Sequence, residues 1–85
     1  MPGGGPGGYP PNVKSAAQRA LYNNLGKDEG LALTVDAAIQ TSRMDGWRGN
    51  VMKTKRVRLA IREALKKDEV LTDQILEMAK HQNDY

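Results

Sequence analysis

The chain contains no cysteine, no phenylalanine, one tryptophan and one histidine in 85 residues. Without cysteine there is no disulfide framework and no thiolate metal site, which fits a reducing compartment. One histidine and no cysteine leave nothing from which a zinc site is ordinarily built. Apolar runs never exceed three or four residues, so no segment is predicted to span a membrane. No apolar stretch of signal-peptide type opens the chain, and a soluble, cytoplasmic protein is expected. Runs of β-branched and aromatic residues are also missing, which argues against a sheet.

Glycine and proline are present but unevenly placed. Residues 1–11 hold five of the nine glycines and all four prolines. That composition packs no core, and residues 1–11 are read as a flexible leader or an appended linker ahead of a single helical domain at 12–85. A domain this short buries only about 60% of its unfolded surface, so its stability is modest and apolar surface remains near the outside. On sequence alone no internal repeat is expected.

Four helices are predicted, an all-α bundle. Ser15 and Gln18 have capping-box spacing, followed by helix formers from Ala16 to Leu25 and a stop at Gly26, with Ala17, Leu21 and Leu25 on one face. Asp28 caps a second helix, about Glu29 to Met44, that is apolar on two sides: Leu31, Val35, Ala38 and Ile39 on one, Leu33, Ala37 and Met44 on the other. The third, about Val51 to Lys67, has the clearest period, at Val57, Ala60, Ile61, Ala64 and Leu65. Asp68 or Thr72 caps the fourth, which runs to about Gln82 with Leu71, Ile75, Met78 and Ala79 inward. The second and third helices are expected to form the centre.

Charge is sorted along the chain. The net +3 divides into 0 for residues 1–47, +7 for 48–67 and −4 for 68–85. On the third helix Lys55, Arg58, Arg62 and Lys66 recur on one face over roughly 16 Å. Such a stripe has three uses open to it: a solvated face that pairs with the acidic fourth helix, for instance Lys66 near Glu69; contact with nucleic-acid phosphates; or contact with an acidic protein. Four phosphate contacts would give a log-affinity slope of about −3.6 against log salt. Base readout is not indicated, because no Asn, Gln or aromatic side chain interleaves the stripe.

Leu59 shares the outward face of that helix and, with Leu33 and Met44, is a candidate for a partner-docking patch. Trp47, between Gly46 and Gly49, is either a plug at the end of the bundle or a partner anchor. The carboxylates are scattered over caps and exposed faces, and none pairs with a histidine or cysteine in a catalytic spacing. His81 lies on a polar stretch and is expected to be solvated. Gly46-x-x-Gly49 fits neither the dinucleotide nor the phosphate-loop pattern and is read as a turn. No catalytic, cofactor or metal residue is therefore predicted, and a free-standing enzyme has no candidate site.

Four segments in order carry a resemblance. They are Ala17-Gln18-Arg19-Ala20-Leu21-Tyr22-Asn23-Asn24-Leu25, preceded by Tyr9-Pro10; Leu31-Ala32-Leu33-x-Val35-Asp36 leading to Ile39; Asp45-Gly46-Trp47-Arg48-Gly49; and Lys55-Arg56-Val57-Arg58 with Ala60-Ile61. With the tail from Ile75-Leu76-Glu77 to Gln82 and Tyr85, they resemble the C-terminal helical region of the restriction (R, motor) subunit of type I restriction-modification enzymes. The Gly/Pro leader departs from that pattern, as does His81 where asparagine is expected. The resemblance implies a non-catalytic piece of a bacterial defence enzyme, an ATP-dependent DNA translocase and endonuclease. Its role would be docking on the methyltransferase and specificity subunits, with ATP and Mg belonging only to the parent. The rival reading is a helical module that contacts DNA phosphates through Lys55, Arg58, Arg62 and Lys66.

Overall fold

A computed structural model describes residues 9–85. It contains α1 (Ala16–Asn24), α2 (Glu29–Ser42), a short 3-10 turn (Trp47–Gly49), α3 (Val51–Ala64) and α4 (Glu69–Lys80). No strand occurs among the described residues, and no helix there is long and apolar enough to cross a membrane. The all-α expectation therefore holds. The first eight residues of the expected leader lie outside the described residues. Tyr9 and Pro10 belong to the fold: the Pro10 carbonyl accepts from Val13 N at 3.0 Å, and Val13 is buried.

Each helix starts where a side chain accepts an otherwise unpaired backbone N–H. Ser15 Oγ accepts from Gln18 N at 3.0 Å while Gln18 Oε1 accepts from Ser15 N at 3.2 Å, a complete capping box. Asp28, Asn50 and Asp68 accept from Leu31 N, Lys53 N and Leu71 N, each at 3.0 Å. Thr72 does not cap; it is fully buried and its hydroxyl donates to the Asp68 carbonyl.

Helix ends fall earlier than the apolar period predicts. In α2 the hydroxyls of Thr41 and Ser42 donate to the carbonyls of Ala37 and Ala38, a local bonding that competes with the helix, and Arg43 is already extended at φ −69, ψ 149. In α3 the apolar period continues to Leu65, but Lys66 and Lys67 adopt left-handed φ of 57° and 68°. Lys66 N donates to Glu63 O at 3.2 Å and Lys67 N to Arg62 O at 2.8 Å, a Schellman closure.

The same closure ends α1, where Gly26 and Lys27 have φ of 70° and 61° and Lys27 N donates to Tyr22 O at 2.8 Å. Set side by side, the two ends reveal a repeat, against the expectation of none. Leu25-Gly26-Lys27-Asp28-Glu29-Gly30-Leu31 matches Leu65-Lys66-Lys67-Asp68-Glu69-Val70-Leu71 at an offset of 40 residues. Buried positions follow the same offset: Ala17 and Val57, Leu21 and Ile61, Ala32 and Thr72, Val35 and Ile75, Ile39 and Ala79. The molecule is two helical hairpins, α1–α2 and α3–α4, packed chiefly through α2 against α3, with α1 also meeting α4. The expectation that α2 and α3 form the centre is met.

The core matches the expected faces of α1 and α3, with Ala60 and Ala64 at its edge. On α2, Ala32 is buried and Ala37 exposed, so the helix has one inward face rather than two. On α4 the fully inward set is Thr72, Ile75, Leu76 and Ala79, while Leu71 and Met78 pack at the core edge. Tyr85 and Asp84 close the bundle from the C-terminal side. The Tyr85 side chain is buried and its hydroxyl donates to Asp36 Oδ1, and Asp84 Oδ2 accepts from Ala17 N at 2.9 Å in the first turn of α1.

Candidate docking surface

The basic stripe is where helix geometry brings charge together. Lys55, Arg58 and Arg62 do recur along one side of α3, but that side borders α4, and Lys66 lies past the end of the helix at Ala64. Arg58 donates to Glu69 Oε1 at 2.7 Å and to Asp73 Oδ1 at 2.9 Å. Arg62 donates from Nε to the second oxygen of Glu69, and its NH1 lies 3.4 Å from Glu63. Two guanidiniums thus clamp one carboxylate. Hydrogen bonds from Arg62 and then Arg58 hold the Glu69 carboxyl below its ordinary value, and the bonds to Glu69 and Asp73 raise the Arg58 guanidinium.

Lys66 has a different fate from the pairing expected for it. It sits in the left-handed turn, exposed, and neither it nor Lys55 has an ion-pair partner among the described residues. The four cations are therefore two paired arginines and two unpaired lysines.

Of the apolar candidates, Trp47 is enclosed at 2% exposure. Its backbone carbonyl accepts from the Thr54 hydroxyl, and the Arg48 guanidinium stacks 5.4 Å from the ring centroid while donating to the Gln82 carbonyl. It plugs the α2–α3 junction and cannot serve as an exposed anchor. Its indole N–H has no acceptor among the described residues.

Leu59 is 56% and Met44 45% exposed. Leu33 is half-buried and does not line the groove beside Leu59. At 100° per residue it lies about 180° around the α2 axis from Ser42. Ser42, with Thr41, lines a groove of about 410 Å³ opposite Arg56, Leu59 and Ala60 of α3. The structure therefore separates Leu33 from Leu59.

Met52, absent from the sequence-based candidates, is exposed at 72% and stands two turns before Leu59 on the same outward line of α3. Its i, i+7 spacing to Leu59 is visible in the sequence, but it lies off both the inward apolar period and the charged stripe. Val51 and Val70 are each 71% exposed at the first turns of α3 and α4. Arg56, exposed between Met52 and Leu59, has no ion-pair partner among the described residues. A second, smaller groove of about 270 Å³ lies toward α4 and is lined by Arg48, Val51, Thr54, Lys55, Arg58 and Lys80, among others. No group of three or more potential metal-ligating side chains occurs among the described residues.

Fold and surface together define a four-helix, two-hairpin bundle with a basic, partly apolar outer face on α3. The chain matches no protein-family model, and neither a curated protein nor a solved structure matches it.

Proposed function

We propose that this chain is a non-catalytic docking module, the C-terminal assembly domain of a type I restriction-modification motor subunit, and that it holds that subunit to the methyltransferase and specificity core in the cytoplasm. The observation that carries the docking role is the division of labour on α3. Its two central arginines are engaged by α4, whereas Met52 and Leu59 face outward at 72% and 56% exposure. Apolar side chains of that size, set among unpaired cations, suit a protein partner whose contact excludes water. The four ordered segments that resemble the family supply the identity of that partner. ATP, Mg and nuclease chemistry belong in this reading to other parts of the parent subunit.

The purified chain, immobilised and offered the methyltransferase and specificity subunits, is expected to capture them, and Leu59→Glu is expected to reduce capture strongly. Fluorescence anisotropy with duplex DNA separates the rival reading. With Arg58 and Arg62 engaged, two free lysines predict a salt slope of only about −1.8 and no tight binding. Sub-micromolar, steeply salt-dependent binding to duplex, without capture of the subunits, would establish the phosphate-contacting module instead.

A further inference from the structure

We infer that the outer face of α3 seats an acidic amphipathic helix of the partner protein; this rests on the docking role proposed above and adds the chemistry of what is docked. Helical spacing sets Met52, Arg56 and Leu59 on one line, with Lys55 beside it. Met52 and Leu59 are seven residues, or about 10.5 Å, apart along the axis. That is the spacing at which apolar side chains of an opposing helix recur. Lys55 and Arg56 flank this ridge without ion-pair partners among the described residues. On the α2 side the ridge falls into the groove of about 410 Å³, whose one lining carboxylate, Glu63, lies 3.4 Å from Arg62. The complement of an apolar ridge flanked by cations is an apolar stripe flanked by carboxylates, and such complementarity steers and orders an encounter. Phosphates match it poorly, since Met52 and Leu59 at its centre offer them nothing and two of the nearby arginines, Arg58 and Arg62, are already bound to Glu69 and Asp73.

The first hairpin shows what this surface looks like when covered. Through the offset of 40, Arg19, Tyr22 and Asn23 of α1 correspond to Leu59, Arg62 and Glu63 of α3. On α1 the chain's own Tyr9 lies over that patch. Its ring meets Tyr22 edge-on at 5.7 Å, the Arg19 guanidinium sits 5.2 Å from its centroid, and its hydroxyl accepts from Asn23 Nδ2 at 3.0 Å. The corresponding patch on α3 has Leu59 at its centre, 56% exposed. One of two equivalent surfaces is capped from within the chain, and the other, with Leu59 in place of Arg19, is open to an external segment.

The test is a titration of the isotope-labelled chain, followed by amide resonances, with two synthetic helical peptides of about 18 residues. Both carry leucines at i, i+4 and i+7; one is flanked by glutamates and the other by lysines. The glutamate peptide is expected to shift Met52, Lys55, Arg56 and Leu59. A Lys55→Glu/Arg56→Glu variant should bind it at least about tenfold more weakly and turn toward the lysine peptide. Absence of shifts up to millimolar peptide, shifts centred elsewhere, binding indifferent to the flanking charge, or stronger shifts of the same resonances by duplex DNA would each overturn the inference. Capture of the methyltransferase and specificity subunits that requires Leu59 but survives the double charge reversal would remove the acidic helix while leaving the docking role in place.

Discussion

The two hairpins share a turn, a capping aspartate and a buried pattern, yet they are held together by different chemistry. In α1–α2 the central polar contact is inside. Asp36 is 5% exposed and accepts from Gln18 and Gln40 at 3.1 Å each and from the Tyr85 hydroxyl. In α3–α4 the equivalent position is Leu76, and the polar contacts lie outside, where Arg58 and Arg62 meet Glu69 and Asp73. Interior hydrogen bonds to a carboxylate depend on geometry and are weakly screened, whereas exterior pairs are weakened by salt. The first hairpin is therefore fixed by a specific polar network and the second by apolar burial with an electrostatic fringe.

Substitutions that exchange these solutions test the contrast. The largest effect is expected from Leu76→Asp, which places a carboxylate at the site equivalent to Asp36 without Asp36's donors. A cost of about 3 kcal/mol or more would leave a domain of this size close to unfolding, as denaturant titration will show. Next is Tyr85→Phe, which removes one of the donors to Asp36 and should cost about 1.5–3 kcal/mol in the same assay.

That variant also sharpens the alkaline response. Burial and then the Asp36 hydrogen bond raise the Tyr85 phenol above its ordinary value of 10. Its contribution is fully present below pH 10 and is lost as pH rises beyond it, because the unfolded chain ionises first. Thermal melts above pH 10 should therefore fall more steeply for the native chain than for Tyr85→Phe.

The turns make a smaller and symmetrical test. Lys66→Gly relieves a left-handed lysine and should stabilise by about 1 kcal/mol, while Gly26→Ala, at φ +70, should destabilise by about the same amount. The smallest effect is expected at the surface pairs. Glu69 is held low by Arg62 and Arg58, so its contribution is present above the ordinary value of 4.5 and is lost as pH falls below it. Arg58→Met should flatten that acid limb of a melting-temperature profile, and the difference should shrink in high salt.

Much of this fold is legible in the sequence because a helix writes its inward face at a spacing of three to four residues. That period alone places Ala17, Leu21 and Leu25, and Val57, Ile61 and Leu65, while residue type and position place the caps at Ser15 and Asp28. The repeat is hidden because only Leu25, Lys27, Asp28, Glu29 and Leu31 recur identically through the turn; elsewhere the hairpins preserve burial more than identity or size. Asp36 is hidden for a related reason. A carboxylate in a helix reads as exposed, and its partners Gln18 and Tyr85 lie 18 and 49 residues away.

The candidate surface is half legible. Periodicity puts Leu59 and the cations on faces of one helix, but whether Arg58 and Arg62 look to solvent or to Glu69 depends on where α4 lies, which a single helix does not encode. Trp47 stays open between plug and anchor for the same reason, and Leu33 separates from Leu59 only once the side of α2 that meets α3 is known.

The bond from Tyr85 to Asp36 joins residues 49 apart in the chain, and a ribosome makes Asp36 first. At roughly 5–20 residues per second, the nascent first hairpin waits roughly 2–10 s for the phenol that completes its interior. During that interval Gln18 and Gln40 are the only two of Asp36's three donors that exist.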